Sequence, residues 1–314
     1  MTTARAVWRQ QLLCQPCVAG RLPSSSRSIT ASAAACERTA HRAHPPAAPL
    51  RREFDPRWLS TIKGRLGKCL MFGLKPDQFN EAGEILRVIA RDWRELTAGS
   101  EGFLIGKNRQ GLYRHNVVWG EMLTSFFFLE LIGCYGHVNN VSYVRYAETA
   151  RVNWSRNIGI HQDPANKKAW FNLLGSTGIG LILKSIKIDY KFPMVYPDKI
   201  SVYHKLSQPP PAPSSPAASS YSSFQLDVLI MSEAHQRPAA RCLEDDVTYD
   251  YQIGRKVKTL PPFMMEQFRH LWAMQEESRR VWASKVRDIE RRVKALETAS
   301  WDRADAVGDL GSSG

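Results

Sequence analysis

No acidic residue occurs in the first 36 positions; the first carboxylate is Glu37. The same stretch holds Arg5, Arg9, Arg21 and Arg27 among many Ser, Ala and Thr residues. Arginine-rich, serine-rich and acid-free is the composition of a mitochondrial presequence, and residues 1–13 can form a short basic amphipathic helix. A plain amino-terminal tail is the other reading; the presequence reading leads to an expected location in the mitochondrial matrix. Also missing is any apolar run near the ~20 residues that a membrane-spanning helix needs. Cysteine is sparse and scattered, at Cys14, Cys17, Cys36, Cys69, Cys134 and Cys242. Cys14 and Cys17 form a lone C-x-x-C with no second pair and no histidine cluster nearby. That pattern gives no metal-ligand set and fits a reducing compartment without disulfides. No metal and no cofactor are expected.

What is present is a chain of 314 residues, 43% hydrophobic, with a net charge of +13. The length allows one or two domains with a sizeable core. The positive charge reads either as a targeting segment plus solvated helix faces or as a surface for an anionic partner. A phosphate-bearing ligand, nucleic acid and an anionic membrane are all such partners, and composition does not choose among them. Contact with nucleic acid or a ribosome has no further support in the sequence.

Residues 37–53 read as a linker, Pro/Ala-rich over 41–49. Residues 54–110 carry helical spacing. Leu59, Ile62, Leu66 and Leu70 form one stripe, and after Pro76-Asp77 a second apolar face holds Phe79, Ile85, Val88, Ile89 and Trp93. A basic amphipathic face here could also touch a membrane surface, with packing as the alternative use. Residues 112–122 alternate as a strand, with Tyr113, His115, Val117 and Trp119 on one side. The stretch around which the chain is organised follows: Gly136-His137-Val138-Asn139-Asn140-Val141-Ser142-Tyr143, running on to Arg151. The paired asparagines are good helix caps. Beyond them Tyr143, Ala147, Ala150, Trp154 and Ile158 make one apolar stripe, with Arg145, Glu148, Arg151 and Arg156 mostly off it. A helix of this kind must be buried lengthwise against something broad, which points to a sheet.

Strand alternation continues over 177–192, with Ile186, Ile188, Tyr190 and Phe192 inward, and again over 200–206. Residues 209–223 are Pro/Ser/Ala-rich and read as an exposed loop within a hairpin. Phe224, Leu226, Val228 and Ile230 mark the next strand, and Leu243, Val247, Tyr249 and Tyr251 the last. Residues 257–299 form a carboxy-terminal helix, in which Trp282, Val286, Ile289, Val293 and Leu296 make a short heptad seam. That seam serves packing on the open face of the sheet or pairing between subunits. Residues 300–314 read as a disordered tail.

Trp119-Gly120-Glu121-Met122, followed by Gly-His-Val-Asn-Asn-x-x-Tyr-x-Arg-Tyr-x-Glu-x-Ala-Arg, resembles the hotdog-fold thioesterases of the 4-hydroxybenzoyl-CoA thioesterase type. Within that superfamily the chain is most similar to fungal mitochondrial thioesterase-like proteins. The resemblance covers roughly residues 112–251, less two interruptions. It implies an α+β hotdog fold over residues 111–256, an antiparallel sheet wrapped around a central helix, with amino- and carboxy-terminal helices added outside. It also implies a homodimer, possible pairing into tetramers, and an acyl-CoA or acyl-carrier thioester as substrate.

By the same resemblance, the backbone N–H of Asn140 polarises the thioester carbonyl, while His137 and Asn139 shape the loop and touch the thioester. Gly136, Tyr143 and Glu148 are candidate substrate-binding residues. Tyr143 reads equally as core, and Glu148 as a dimer or capping residue. The family's catalytic aspartate falls on Gly133, after an added stretch, 123–133, that contains Phe126, Phe127 and Phe128. Either this stretch is an insertion lining the acyl pocket, or it is translated intron that has displaced the aspartate codon. Glu121 and Glu130 are the nearest carboxylates and lack the register. Two functions therefore stand: an acyl-CoA thioesterase, and a non-catalytic hotdog binding or structural module.

Overall fold

The computed structural model describes residues 54–118 and 137–302. The acid-free leader, the 123–133 stretch, Gly136 and the tail from 303 lie outside the described residues. Asn139 caps the central helix, its side chain accepting the Val141 N–H at 3.0 Å. From that cap α3 spans Asn140–Asn157 and continues into a π-helical turn at Ile158–Gln162, with the short α4 at Lys167–Asn172 after it. Tyr143, Tyr146, Ala147, Ala150, Trp154 and Ile158 are all buried. Each large side chain so buried removes enough apolar surface to stabilise the fold by about 1.5–3 kcal/mol.

The surface that receives α3 is a fully antiparallel sheet of β1 (Leu112–Asn116), β2 (Ile179–Tyr190), β3 (Lys199–Leu206), β4 (Ser223–Ser232) and β5 (Arg237–Asp250). Their spatial order is β1-β3-β4-β5-β2, and a two-residue β6 (Arg255–Lys256) pairs β5. Successive side chains alternate faces, so the sheet has two cores. Val202, Leu206, Leu226, Val228, Ala240 and Cys242 pack with α3 on one face. Tyr203, Leu229 and Met231 lie in a second cluster with α1 (Trp58–Met71), α2 (Pro76–Thr97) and the far half of α5 (Pro262–Ser300). This is the hotdog arrangement, with its outer face roofed by the chain's own terminal helices.

At 39 residues, α5 is about 58 Å long, enough to serve both cores. Its first turns, through Met264, Phe268 and Leu271, pack on the α3 side; Val286, Ile289, Val293 and Leu296 pack on the roofed side. Gln275, at the crossing point, is buried and brackets the end of β3. It accepts the Leu206 N–H at 3.0 Å and donates to the Leu206 carbonyl at 3.1 Å. Gly111 lets the start of β1 reach the central helix. A Cβ there would lie 2.5 Å from Ala150 Cβ and 2.6 Å from the Ala150 carbonyl oxygen.

Three expectations of phase change. β1 ends at Asn116 among the described residues, and Tyr113 and His115 face outward while Leu112 and Val117 are buried. The cause is a bulge: Arg114 has φ 47, and the register with β3 shifts between Leu112 and His115. In α1 the buried stripe is Leu59, Ile62, Leu66 and Cys69, leaving Leu70 exposed, and in α2 Phe79 is exposed. In β5 the inward face is Cys242, Glu244, Asp246 and Thr248, and Leu243 points out. Two carboxylates occupy core positions there because Arg151 of α3 and His204 of β3 meet them.

Candidate active site at the start of the central helix

The first N–H groups of a helix lack intrahelical acceptors and carry the positive end of its dipole. In α3 the Asn139 side chain takes the Val141 N–H, and the Ser142 N–H goes to the Asn139 carbonyl at 2.9 Å. No partner for the Asn140 N–H lies among the described residues. Asn139 thus serves as the cap, and Asn140 carries the open donor. His137 is exposed beside them, and Val138 is buried and donates its N–H to the Met194 carbonyl at 2.8 Å.

Tyr143 sits one turn in. It is almost fully buried, its hydroxyl accepts the Met194 N–H at 3.2 Å, and its ring stands edge-on to Tyr190 at 5.1 Å. Burial holds the Tyr143 phenol above its ordinary pKa, as it does for Tyr146 and Tyr190. These groups are therefore neutral donors or acceptors near neutral pH rather than bases. Tyr190 reaches back to donate to the Asn140 carbonyl at 3.4 Å. Around this mouth Val141, Tyr190, Val195 and Tyr196 leave large apolar surface exposed. Glu148 is exposed, two turns further along and ~12 Å from Asn140 by helix rise. The structure thus brings together His137, Asn139, Asn140 and Tyr143, with Glu148 apart. The groups that bond the helix start among the described residues, from Asn139, Tyr190 and Met194, include no carboxylate.

Deeper under α3 lies a buried charged cluster that the sequence did not disclose. The Arg151 guanidinium is 3.1 Å from Glu244 Oε2 and 3.5 Å from Asp246 Oδ1, with both carboxylates fully buried. His204 Nε2 is 3.6 Å from Glu244, and its ring stacks on Trp154 at 6.0 Å. Burial pushes the Glu244 carboxyl up, but His204 and Arg151 together hold it below the ordinary range. Asp246 goes the other way. Burial, with the charges of Glu244 and Asp245 adding to it against Arg151, raises it to about 7. The available signal was Glu244-Asp245-Asp246 inside an otherwise apolar strand, which an alternating reading assigns to solvent.

Elsewhere, Glu101, Lys205, Asp227 and Arg241 form an ion-pair network between the roof and the outer face of the sheet. A cavity of about 660 Å³ opens between Glu95, the 104–109 loop and α5, lined by Leu104, Arg109, His270 and Trp282 and by no residue of the helix mouth. No cluster of His, Cys, Asp and Glu suited to a metal occurs among the described residues. No described helix is long and apolar enough to cross a membrane.

The chain matches the thioesterase-like superfamily over residues 128–268. No curated protein matches it. Similar solved structures include the DHNA-CoA thioesterase of Staphylococcus aureus, 15% identical, covering 52% of this chain and 90% of that one with a TM-score of 0.35. A thioesterase of Thermus thermophilus, complexed with coenzyme A and Zn, is 21% identical over 50% of this chain and 90% of its own, at a TM-score of 0.33. The protein SAV2348 of Staphylococcus aureus, in complex with CoA, is 12% identical over 46% and 75%, at 0.32.

Proposed function

We propose that this chain, whose residues 128–268 match the thioesterase-like superfamily, hydrolyses an acyl-CoA or acyl-carrier thioester at the start of α3. The open Asn140 N–H at the capped end of a buried helix carries this reading. A thioester carbonyl set against that N–H gains negative charge on oxygen as water adds, and the fixed donor and helix dipole stabilise it. Asn139 holds the first turn in place, His137 flanks the donor, and Tyr143 and Tyr190 wall the mouth. Val141, Val195 and Tyr196 offer apolar surface to the acyl group.

The same reading makes the working unit a homodimer. The outer edge of β2 is unpaired among the described residues over a 12-residue strand. Open edges of that length invite pairing, and a second copy there would bring a further wall to the mouth. A matrix location, from the acid-free leader, belongs to this proposal as well.

A second reading is a binding module that holds the thioester without cleaving it. It is favoured by Gly133 at the position of the family's carboxylate, since a hydrolase needs a group to activate or replace water.

Asn140→Pro tests the first reading. Proline removes the N–H, yet it is well accepted at the first helical position. It also suits an extended preceding residue, and Asn139 has φ −59 and ψ 136. Hydrolysis by the full chain should fall about 10²–10³-fold in kcat with the helix intact by circular dichroism. Equal turnover by the folded variant would remove Asn140 from the chemistry. Saturable binding of acyl-CoA by the wild type without turnover would establish the second reading instead.

A further inference from the structure

We propose that the turn joining α1 to α2 is a contact tip that seats on an anionic lipid surface. Of the 16 conspicuously exposed large apolar side chains among the described residues, four fall within ten positions: Leu70, Met71, Phe72 and Phe79. Met71 is 87% exposed and Phe79 61%. Apolar residues scattered singly over a surface are ordinary, whereas a cluster marks a contact.

Packing does not use these side chains. α1 buries Trp58, Leu59, Ile62, Leu66 and Cys69 against the roof core, and α2 buries Ala82, Ile85, Ile89, Trp93 and Leu96. Gly73, at φ +85, reverses the chain between the two helices. The apolar side chains therefore sit on a projecting turn instead of lining a groove.

Charge selects the occupant. Residues 63–79 contain Lys63, Arg65, Lys68 and Lys75 and a single acid, Asp77. Arg65 is engaged by Glu297 at 2.6 Å, while Lys63, Lys68 and Lys75 are exposed. The Lys68 ammonium lies 3.3 Å above the Trp301 ring and 5.8 Å from that of Phe72, so cation and aromatic surface share one end of the helices. Trp301 ends this layer at the carboxy terminus of α5.

Apolar side chains that enter the acyl boundary, with lysines beside them reaching phosphate headgroups, are the chemistry of interfacial binding. A fluid bilayer accepts a projecting turn without a matching cleft. A protein partner would have to supply one. The contact lies on the surface of the bilayer and is independent of the thioester chemistry proposed for the mouth of α3.

The test is co-sedimentation of the full chain with phosphatidylcholine vesicles, with and without phosphatidylglycerol. Binding is expected with phosphatidylglycerol and to weaken as salt is raised. The triple variant Met71→Ser, Phe72→Ser and Phe79→Ser should lose at least about tenfold in partitioning, with its circular dichroism and unfolding temperature unchanged. Lys68→Gln with Lys75→Gln should weaken binding to the anionic vesicles alone. Wild-type protein left in the supernatant of both vesicle types, or a folded triple variant that sediments as well as wild type, overturns the proposal. So does a vesicle-free self-association that the triple variant abolishes, because the tip is then a protein contact.

Discussion

Removing Arg151 should damage the fold far more than its place on the charged side of a helical pattern suggests. Its guanidinium faces two fully buried carboxylates at 3.1 and 3.5 Å. At the nearer distance a unit charge pair is worth about 5 kcal/mol at an effective dielectric of 20. Breaking a buried pair by deleting one partner costs about 3–5 kcal/mol, mostly because the other charge is left uncompensated. Arg151→Met keeps much of the aliphatic volume and isolates that electrostatic effect. The unfolding temperature should fall by roughly 6–20 °C for a domain of this size. Glu244→Gln added to Arg151→Met should return most of the loss, because it takes away the stranded charge. The assay is thermal unfolding of the single and double variants at neutral pH. A single-variant loss below about 1 kcal/mol, the worth of an exposed pair, would refute the reasoning. So would a double variant no more stable than the single.

Asp246, raised to about 7, holds in the native state a proton that the unfolded chain releases near 4. Its contribution to stability is therefore present at low pH and declines as pH rises to about 7, then stays flat. Relative to Asp246→Asn, the wild type should lose up to about 3 kcal/mol between about pH 5 and pH 8; parallel stability curves would contradict this. Deleting residues 123–132 together with Gly133→Asp should raise acyl-CoA hydrolysis at least ~10²-fold if translated intron displaced the carboxylate. Equal rates from both folded versions would count against an aspartate catalyst. A fluorescent fusion to residues 1–36 alone should enter mitochondria, and a fusion that stays diffuse in the cytosol removes the presequence reading.

The central helix was legible because its signals are local. Two asparagines cap it, and Tyr143, Ala147, Ala150 and Trp154 sit three or four residues apart on the face that is buried. The antiparallel sheet was legible for the same reason in β3 and β4, where apolar residues recur at every second position. What failed depends on partners far away in the chain. Glu244 and Asp246 face inward because Arg151 and His204 meet them, 93 and 40 residues upstream of Glu244, and strand periodicity carries no sign of that. Leu70 and Phe79 fit a helical stripe on paper, but the helices they sit on bury Cys69 and Ala82 instead. In β1, a left-handed residue at Arg114 moved His115 to the outer side, a backbone event with no composition signal. At the mouth of α3 the residue types were readable. Which of the two asparagines caps the helix needed coordinates, and it is Asn139.

The roof over the outer face limits how many ways one copy can meet another. Tyr203, Leu229 and Met231 would give a bare sheet a sticky back, on which a second sheet could stack. Here α1, α2 and α5 already cover them, so the molecule's valency for itself is reduced at that face. Among the described residues the open edges of the sheet are the short β1 and the longer β2, and an edge joined to its own copy about a two-fold axis closes on itself. Assembly by that route stops at two. A larger particle would have to be built from the second edge, at β1, or from the outer surfaces of the terminal helices, and the roofed face of the sheet would take no part in it.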